Sequence, residues 1–410
     1  MLRTLFPKVH RFYEQSRCAD ELEAFACWLQ EVGYALPSTR GHIRRLQCTL
    51  EQAPRACAQR RYSERAVRQM FAAAFTSTRA VVGAQATERL YRRFLGVHGR
   101  LQPNRRLHDP RSLLLVRYRG YLTEVRGLTA STVAQHLTTV ADFLQRSLGA
   151  GRPPRTLTST HTDRYIAVRA REVRRETLQH IVAHLRGFLR YCFVRRMVGR
   201  RFDPIDTPRT YRGERPPRAM AWPLVQRLLG SIDRTSKAGW RDYAILHLMA
   251  HYGLRPSEIV TLGLSSIDWG AKTLHVEQRK TQSTLLLPML PRTLTLLRRY
   301  LAVGRPRSAH AHLFLRVRDP AGPLKHTAVC DVFRKHARQL SLPLDRYSSY
   351  SLRHGFAVHL LNRGVGIKAI GDLLGHRSFE STQVYLRLET DLLRAVALPV
   401  PRSAPTGRRT

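Results

Sequence analysis

Ser351-Leu352-Arg353-His354, then Leu373-Leu374-Gly375-His376 and Tyr385, decide how this chain is read, together with Tyr252-Gly253-Leu254-Arg255-Pro256-Ser257-Glu258 upstream. Arg255 and Arg353 stand 98 positions apart, and Tyr385 follows Arg353 by 32 and His376 by nine. Two arginines, a histidine and a tyrosine are what phosphoryl transfer to a protein hydroxyl requires. Guanidinium forks grip a phosphate in bidentate fashion, and a phenol can attack it. Local sequence gives each residue a rigid seat. Gly253 ends a helix and Pro256 suits the first turn of the next, so Arg255 is held on an elbow between them. Glu258 falls one helical turn further on, placed to orient that guanidinium. Arg353 opens an amphipathic helix whose Phe356, Val358, Leu360 and Leu361 face a core. Gly375 closes the helix before His376, and Ser378 is placed to cap the helix that carries Tyr385. His354 faces a different side of its helix from Arg353 and reads as structural.

This set of four spaced motifs resembles the tyrosine recombinase (phage integrase) family over residues from about 111 to 396. The resemblance implies a multidomain, mainly α protein. Helical SAM-like DNA-binding bundles would precede an α+β catalytic domain with a small antiparallel hairpin. It also implies metal-free, cofactor-free transesterification. Arg255, Arg353, His376 and Tyr350 would surround the scissile phosphate, and Tyr385 would attack to give a 3′-phosphotyrosyl link. Lys280, in the turn Gln278-Arg279-Lys280-Thr281-Gln282 and 25 positions after Arg255, takes the family's place for the acid that protonates the departing 5′ oxygen, with Lys272 and Arg279 as competitors. The family's second motif is usually His-x-x-Arg, whereas this chain has Tyr350-Ser351-Leu352-Arg353. Tyr350 can donate a hydrogen bond to a phosphate oxygen, but a phenol with a pKa of about 10 is a poor base at neutral pH. The departure bears on the proton-accepting role, not on phosphate binding. By the same resemblance four protomers, identical or mixed with sister recombinases, act on two duplexes. Leu388, Leu392, Leu393, Val396 and Leu398 would pack against a neighbour.

Composition points independently to DNA. The formal charge is +41 over 410 residues, and self-repulsion of that size destabilises a compact state unless an anionic partner neutralises it. Double-stranded DNA is the expected partner. A membrane is not, since no apolar run approaches the ~20 residues that spanning needs. Only seven of the 70 basic residues are lysines, so a lysine at the right place is informative. The N-terminus lacks the apolar stretch of a signal peptide, and the expected location is the cytoplasm, in association with the nucleoid. The six cysteines form no C-x-x-C pair and read as buried free thiols rather than metal ligands.

Along the chain, residues 1–105 read as helical, 111–200 as a second, core-binding helical domain and 201–218 as a Pro-rich linker. Residues 219–398 read as the catalytic domain, and 399–410 as a disordered tail. Cys27-Trp28-Leu29-Gln30-Glu31-Val32 and Gly120-Tyr121-Leu122-Thr123-Glu124-Val125 align at an offset of 93, as do Ser38-Thr39 and Ser131-Thr132. Gly33 and Gly127 close the helices before those Ser-Thr pairs, which look like caps. The first domain is therefore expected to be a second copy of a DNA-gripping bundle. Residues 273–276 and 284–287 are β-prone and read as a hairpin. Helices are expected at 242–252, 291–303, 327–340, 352–362 and 367–374. The N-terminal 105 residues lie outside the family resemblance, which is similar to recombinases borne on transposable elements. A type IB topoisomerase and a non-catalytic DNA-binding accessory are the other readings of the same residues.

Overall fold

The computed structural model describes residues 1–53, 61–75, 78–102, 110–148, 153–207, 218–278, 283–318, 320–376 and 378–386. Lys280, the core of the Pro-rich connector and everything from 387 onward, including Leu388 and the tail, lie outside the described residues. By contact the chain divides into two compact units, Met1–Phe25 with Gly41–Glu214 and Ala26–Arg40 with Arg215–Thr410.

Up to Val194 the described residues are almost wholly helical: α1 (Leu2–Leu5), α2 (His10–Glu14), α3 (Ala19–Glu31), α4 (Leu36–Gln52), α5 (Glu64–Ala74), α6 (Thr78–Val97), α7 (Pro110–Gly120, continued by a π turn), α8 (Ala130–Ser147), α9 (Ser159–Glu172) and α10 (Arg175–Val194). Two-residue strands, β1 (Tyr62–Ser63) and β2 (Leu101–Gln102), pair in parallel. The helices from α3 to α6 and from α7 to α10 run in matching order. Gly33 and Gly127 both take left-handed backbone, with φ of 87° and 58°. After α6, the amides of His98, Gly99 and Arg100 donate to the carbonyls of Phe94, Gly96 and Leu95. After α10, those of Arg195, Arg196 and Met197 donate to Tyr191, Phe193 and Cys192, each 97 positions later. Ala84, Tyr91, Phe94 and Leu95 are buried, and so are Ile181, Phe188, Tyr191 and Cys192 at that same offset.

The caps differ from expectation. Thr129, not Ser131 or Thr132, caps α8, because its hydroxyl lies three residues ahead and accepts the Thr132 amide. Ser38 and Thr39 lie inside the first turns of α4. Among the described cysteines only Cys192 is fully buried, its thiol pushed up to about 12 by burial; the rest are only partly covered.

The second unit contains α11 (Trp222–Gly230), α12 (Lys237–Tyr252), α13 (Pro256–Thr261), β3 (Ile267–Asp268), β4 (Thr273–Gln278), β5 (Ser283–Pro288), α14 (Pro291–Arg299), α15 (His326–Gln339), α16 (Ser349–Leu361), α17 (Ile367–Leu374) and α18 (Glu380–Gln383). The three strands form one antiparallel sheet in sequence order, with Val276 opposite Leu285 in the expected hairpin. Along β4, Leu274, Val276 and Gln278 turn inward while His275 and Glu277 face out, the period of two that a half-buried strand imposes. Helix α12 is buried nearly all round: Ile245, Leu248 and Met249 meet Leu274, Val276, Phe333 and Leu352 in the main core. A smaller cluster joins Phe356, Ala357 and Leu361 of α16 to Ile370 and Leu374 of α17 and to Tyr385. Two sequence expectations shift by a turn. Arg353 sits in the second turn of α16 rather than opening it, because Ser348 starts that helix. Ser378 does not cap α18, because Phe379 is already helical, with φ −55° and ψ −38°.

Gly253 ends α12 with φ 64°, and a Cβ there would lie 2.6 Å from Leu374 and 2.8 Å from Phe356. Left-handed backbone and a filled site penalise any side chain together. Gly253→Ala should therefore destabilise by about 2–5 kcal/mol in denaturant titration. Gly364→Ala is the control: it has a φ of 77° but open space around the Cβ position. It should lose only the backbone penalty of about 1–2 kcal/mol.

Candidate active site

Arg255 caps α13 and is tied to Glu258 twice. Its amide donates to Oε2 at 2.8 Å and its Nη1 to Oε1 at 2.6 Å. Pro256 at the first helical position fixes that elbow. Arg353 approaches from α16. Its Nη1 donates to the Gly253 carbonyl at 2.6 Å and its Nη2 to the Leu374 carbonyl at 2.7 Å, binding the ends of α12 and α17 through one side chain. Nη1 also lies 4.0 Å from the second Glu258 oxygen. Two guanidinium groups thus share one carboxylate, and both Arg353 and Glu258 are only 4% exposed. Burial and the Arg255 charge hold Arg353 down to about 10, against the pull of Glu258. With His376 neutral, these four side chains carry one unbalanced positive charge.

His376 sits where Gly375 ends α17 with φ 63°. A Cβ on Gly375 would fall 2.1 Å from the Gln278 Oε1, so the glycine serves both the turn and the close approach of the hairpin. Gln278 Nε2 donates to the Leu374 carbonyl at 3.3 Å, the same oxygen that Arg353 binds. The last described residue of β4 therefore reaches the arginine's own anchor.

The tautomer of His376 follows from its neighbours. Nε2 lies 3.1 Å from Arg353 Nη2 and Nδ1 lies 2.8 Å from Thr382 Oγ1. A guanidinium can only donate, so Nε2 accepts and the ring proton is on Nδ1, facing Thr382. Burial, then the Arg353 and Arg255 charges, hold this imidazole down to about 4.

Tyr385 is 2% exposed and packs in the α16–α17 cluster. Its ring lies nearly parallel to that of His376, at 11° and 6.5 Å between centroids. Burial raises its phenol pKa, and Arg353 and Arg255 pull it back. Its hydroxyl lies 3.1 Å from Nδ1 of His354. Tyr350, one turn before Arg353, is 47% exposed, and its phenol registers in the electrostatics of that guanidinium.

The fold thus gathers Arg255, Glu258, Arg353, His376 and Tyr385, with Tyr350 beside Arg353; Lys280 lies outside the described residues. Sequence reading missed three members. Thr382 and Gln278 carry no motif of their own and matter only through tertiary contacts. His354 reads as structural from sequence, yet its ring meets the tyrosine hydroxyl. A position 100° around the helix from Arg353 was the available signal, since Tyr385 approaches from that side.

Comparison with known proteins bears on the family. Residues 224–391 match the model of the Phage integrase family. The integrase/recombinase y4rF of Sinorhizobium fredii is 32% identical over 304 residues, covering 72% of this chain and 71% of that protein. Tyrosine recombinase XerD of Xanthomonas campestris is 32% identical over 216 residues, covering 50% of this chain and 65% of XerD. Among solved structures, a lambda integrase dimer bound to a COC′ core site matches with a TM-score of 0.53 at 17% identity, over 67% of this chain and 94% of that one. The Tn1549 transposon integrase in complex with circular intermediate DNA matches at 0.51 and 15% identity, over 67% of this chain and 98% of that one. Both structures show the same fold. With two arginines, a histidine and a tyrosine gathered in that fold, the chain belongs to the tyrosine recombinase (phage integrase) family and is a tyrosine-type site-specific recombinase.

Proposed function

We propose that this recombinase cuts and rejoins duplex DNA by transesterification at Tyr385, in the service of a mobile genetic element. The observation that carries the reading is the charge imbalance: Arg255 and Arg353 share Glu258, which leaves a buried excess of one positive charge that one phosphodiester balances. The scissile phosphate enters between Arg353 and His376 and replaces their mutual hydrogen bond. Its charge offsets the guanidinium fields that suppress His376, so the imidazole gains a proton on Nε2 and donates to a non-bridging oxygen while Nδ1 stays on Thr382. Tyr350 donates from the exposed side. Donors placed for the transition state are each worth about 3–4 kcal/mol of barrier.

Tyr385 attacks the phosphorus and forms a 3′-phosphotyrosyl bond, and the 5′ oxygen leaves with a proton from Lys280. Lys280 is two residues beyond Gln278, whose amide touches the Leu374 carbonyl beside Arg353, and this supports the assignment. A 5′ hydroxyl from a second duplex then reverses the step. Residues 219–398 form the catalytic domain and 111–200 the core-binding domain. Four protomers, alone or with sister recombinases, assemble on two sites through the segment after Tyr385. Residues 1–105 are a second bundle of the core-binding type. The matching caps of α6 and α10 and the matching buried faces support that duplication.

Tyr385→Phe keeps the buried ring and should abolish covalent attachment to a nicked duplex, with duplex affinity within about twofold of wild type in a gel-shift titration. An adduct formed by the Phe variant would refute the nucleophile. Duplex affinity should also fall steeply with salt, the log–log slope gaining about 0.9 per neutralised phosphate. Deleting residues 1–105 should make that slope shallower by several phosphates if the first bundle grips DNA. Arg353→Ala should lose attachment and, unlike Tyr385→Phe, also destabilise the fold by about 3–5 kcal/mol, since it strips Glu258 and two carbonyls of a buried partner. Chemical denaturation of the two variants side by side checks the contrast.

A further inference from the structure

The recombinase reading leaves one proton without a destination. When Tyr385 Oη bonds to phosphorus its hydrogen must leave, and Tyr350, at the place of the family's usual histidine, is a poor acceptor. Thr382 is occupied by His376 Nδ1, and His376 Nε2, protonated in that reading, donates to the phosphate. Arg353 and Arg255 are donors only. The imidazole of His354 is different. Its Nδ1 is 3.1 Å from the Tyr385 hydroxyl, within the reach required of a general base, and the two rings lie 5.7 Å apart at 54°. It is anchored on α16 next to Arg353, so the residue that binds the phosphate and the one that touches the nucleophile share a single rigid helix.

Resting on that reading, we propose that His354 is a catalytic residue: the base that takes the Tyr385 proton during strand cleavage and returns it during rejoining. As the Oη lone pair forms the bond to phosphorus, the O–H electron pair stays on oxygen and the proton passes to Nδ1. The P–O5′ bond breaks, and its electrons leave on the 5′ oxygen, which is protonated by the acid. His354 ends as imidazolium with the phosphotyrosyl ester beside it. When a 5′ hydroxyl attacks, Oη becomes the leaving group and recovers the same proton. The ring starts neutral, held down to about 4 by burial and then by Arg353, and in its Nε2–H tautomer Nδ1 accepts from the Tyr385 hydroxyl. The transfer is concerted with P–O bond formation, which acidifies the phenol. The bound phosphate offsets the Arg353 charge that disfavours the imidazolium. The role also explains how a chain with Tyr350-Ser351-Leu352-Arg353 in its second motif keeps a proton acceptor at the site.

The test is single-turnover attachment to nicked duplexes tiled through the DNA on either side of the protein's own gene, using the duplex that gives the fastest wild-type adduct. His354→Asn places an amide oxygen close to the position of Nδ1. It can accept the phenol hydrogen bond but cannot carry the proton away. Both His354→Asn and His354→Ala should cleave at least ~100-fold slower at unchanged duplex affinity. Added imidazole should partly restore the Ala variant but not the Asn variant. Rejoining from a preformed adduct should slow in parallel. Duplex affinity and thermal melting report folding, and the Asn variant carries the test should the Ala variant be unstable. Wild-type rates in His354→Asn, with the wild-type adduct present and Tyr385→Phe inert, would overturn the base and leave the recombinase reading standing. A wild-type protein that attaches to none of the duplexes would overturn that reading and the base with it.

Discussion

Two guanidinium groups leaning on a single buried carboxylate set the terms for the rest of the second unit. Like charges in a low-dielectric interior repel, and Glu258 can neutralise only one of them. The fold holds the pair by covering Arg353 with backbone carbonyls from Gly253 and Leu374, each at the end of a helix where carbonyls lack intrahelical partners. Those carbonyls are available because glycine or a following glycine ends each helix in left-handed geometry, at Gly253 and Gly375. Remove either glycine and the oxygen that steadies the arginine is displaced. The arrangement therefore joins helix termination to the seating of Arg353: the same turns that stop α12 and α17 aim their last carbonyls at the cation.

Much of this was legible from sequence because it rests on local rules. Gly253, Pro256 and Glu258 announce an elbow with a clamped arginine at Arg255, and the structure has both Glu258 bonds. Gly375 before His376 announces a helix end, and the β4–β5 hairpin follows from its alternation. The misses are of another kind. Thr129 rather than Ser131 caps α8, and Phe379 pre-empts Ser378, because a cap depends on where the backbone enters the helical region, and several hydroxyls compete within a few residues. His354 reads as structural because helical geometry turns it away from Arg353. That argument shows where a side chain is not, and only packing with a segment 31 residues away shows what it meets.

The helical portion carries its own regularity. Two series of four helices share closing hydrogen bonds at a fixed offset of 97 and bury corresponding positions on their last members. The motif offset read from sequence near the first helices is 93, so the two series differ in spacing by a few residues between their first and last helices. Loops absorb insertions more readily than packed helices do. Aromatic contacts recur within each series, as in the Phe25–Tyr91–Phe94 and Tyr118–Phe188–Tyr191 groups.

The carbonyl clasp around Arg353 bears on how such a protein can decay. A copy that loses the arginine loses cohesion between helices as well as chemistry, and the cell's proteases would clear it. A copy that exchanges its tyrosine for phenylalanine keeps the filled core and the cationic pocket, so it persists as an occupant of DNA sites that competes with its active siblings. Silent relatives of this lineage should therefore be found with Tyr385 exchanged and Arg353 kept.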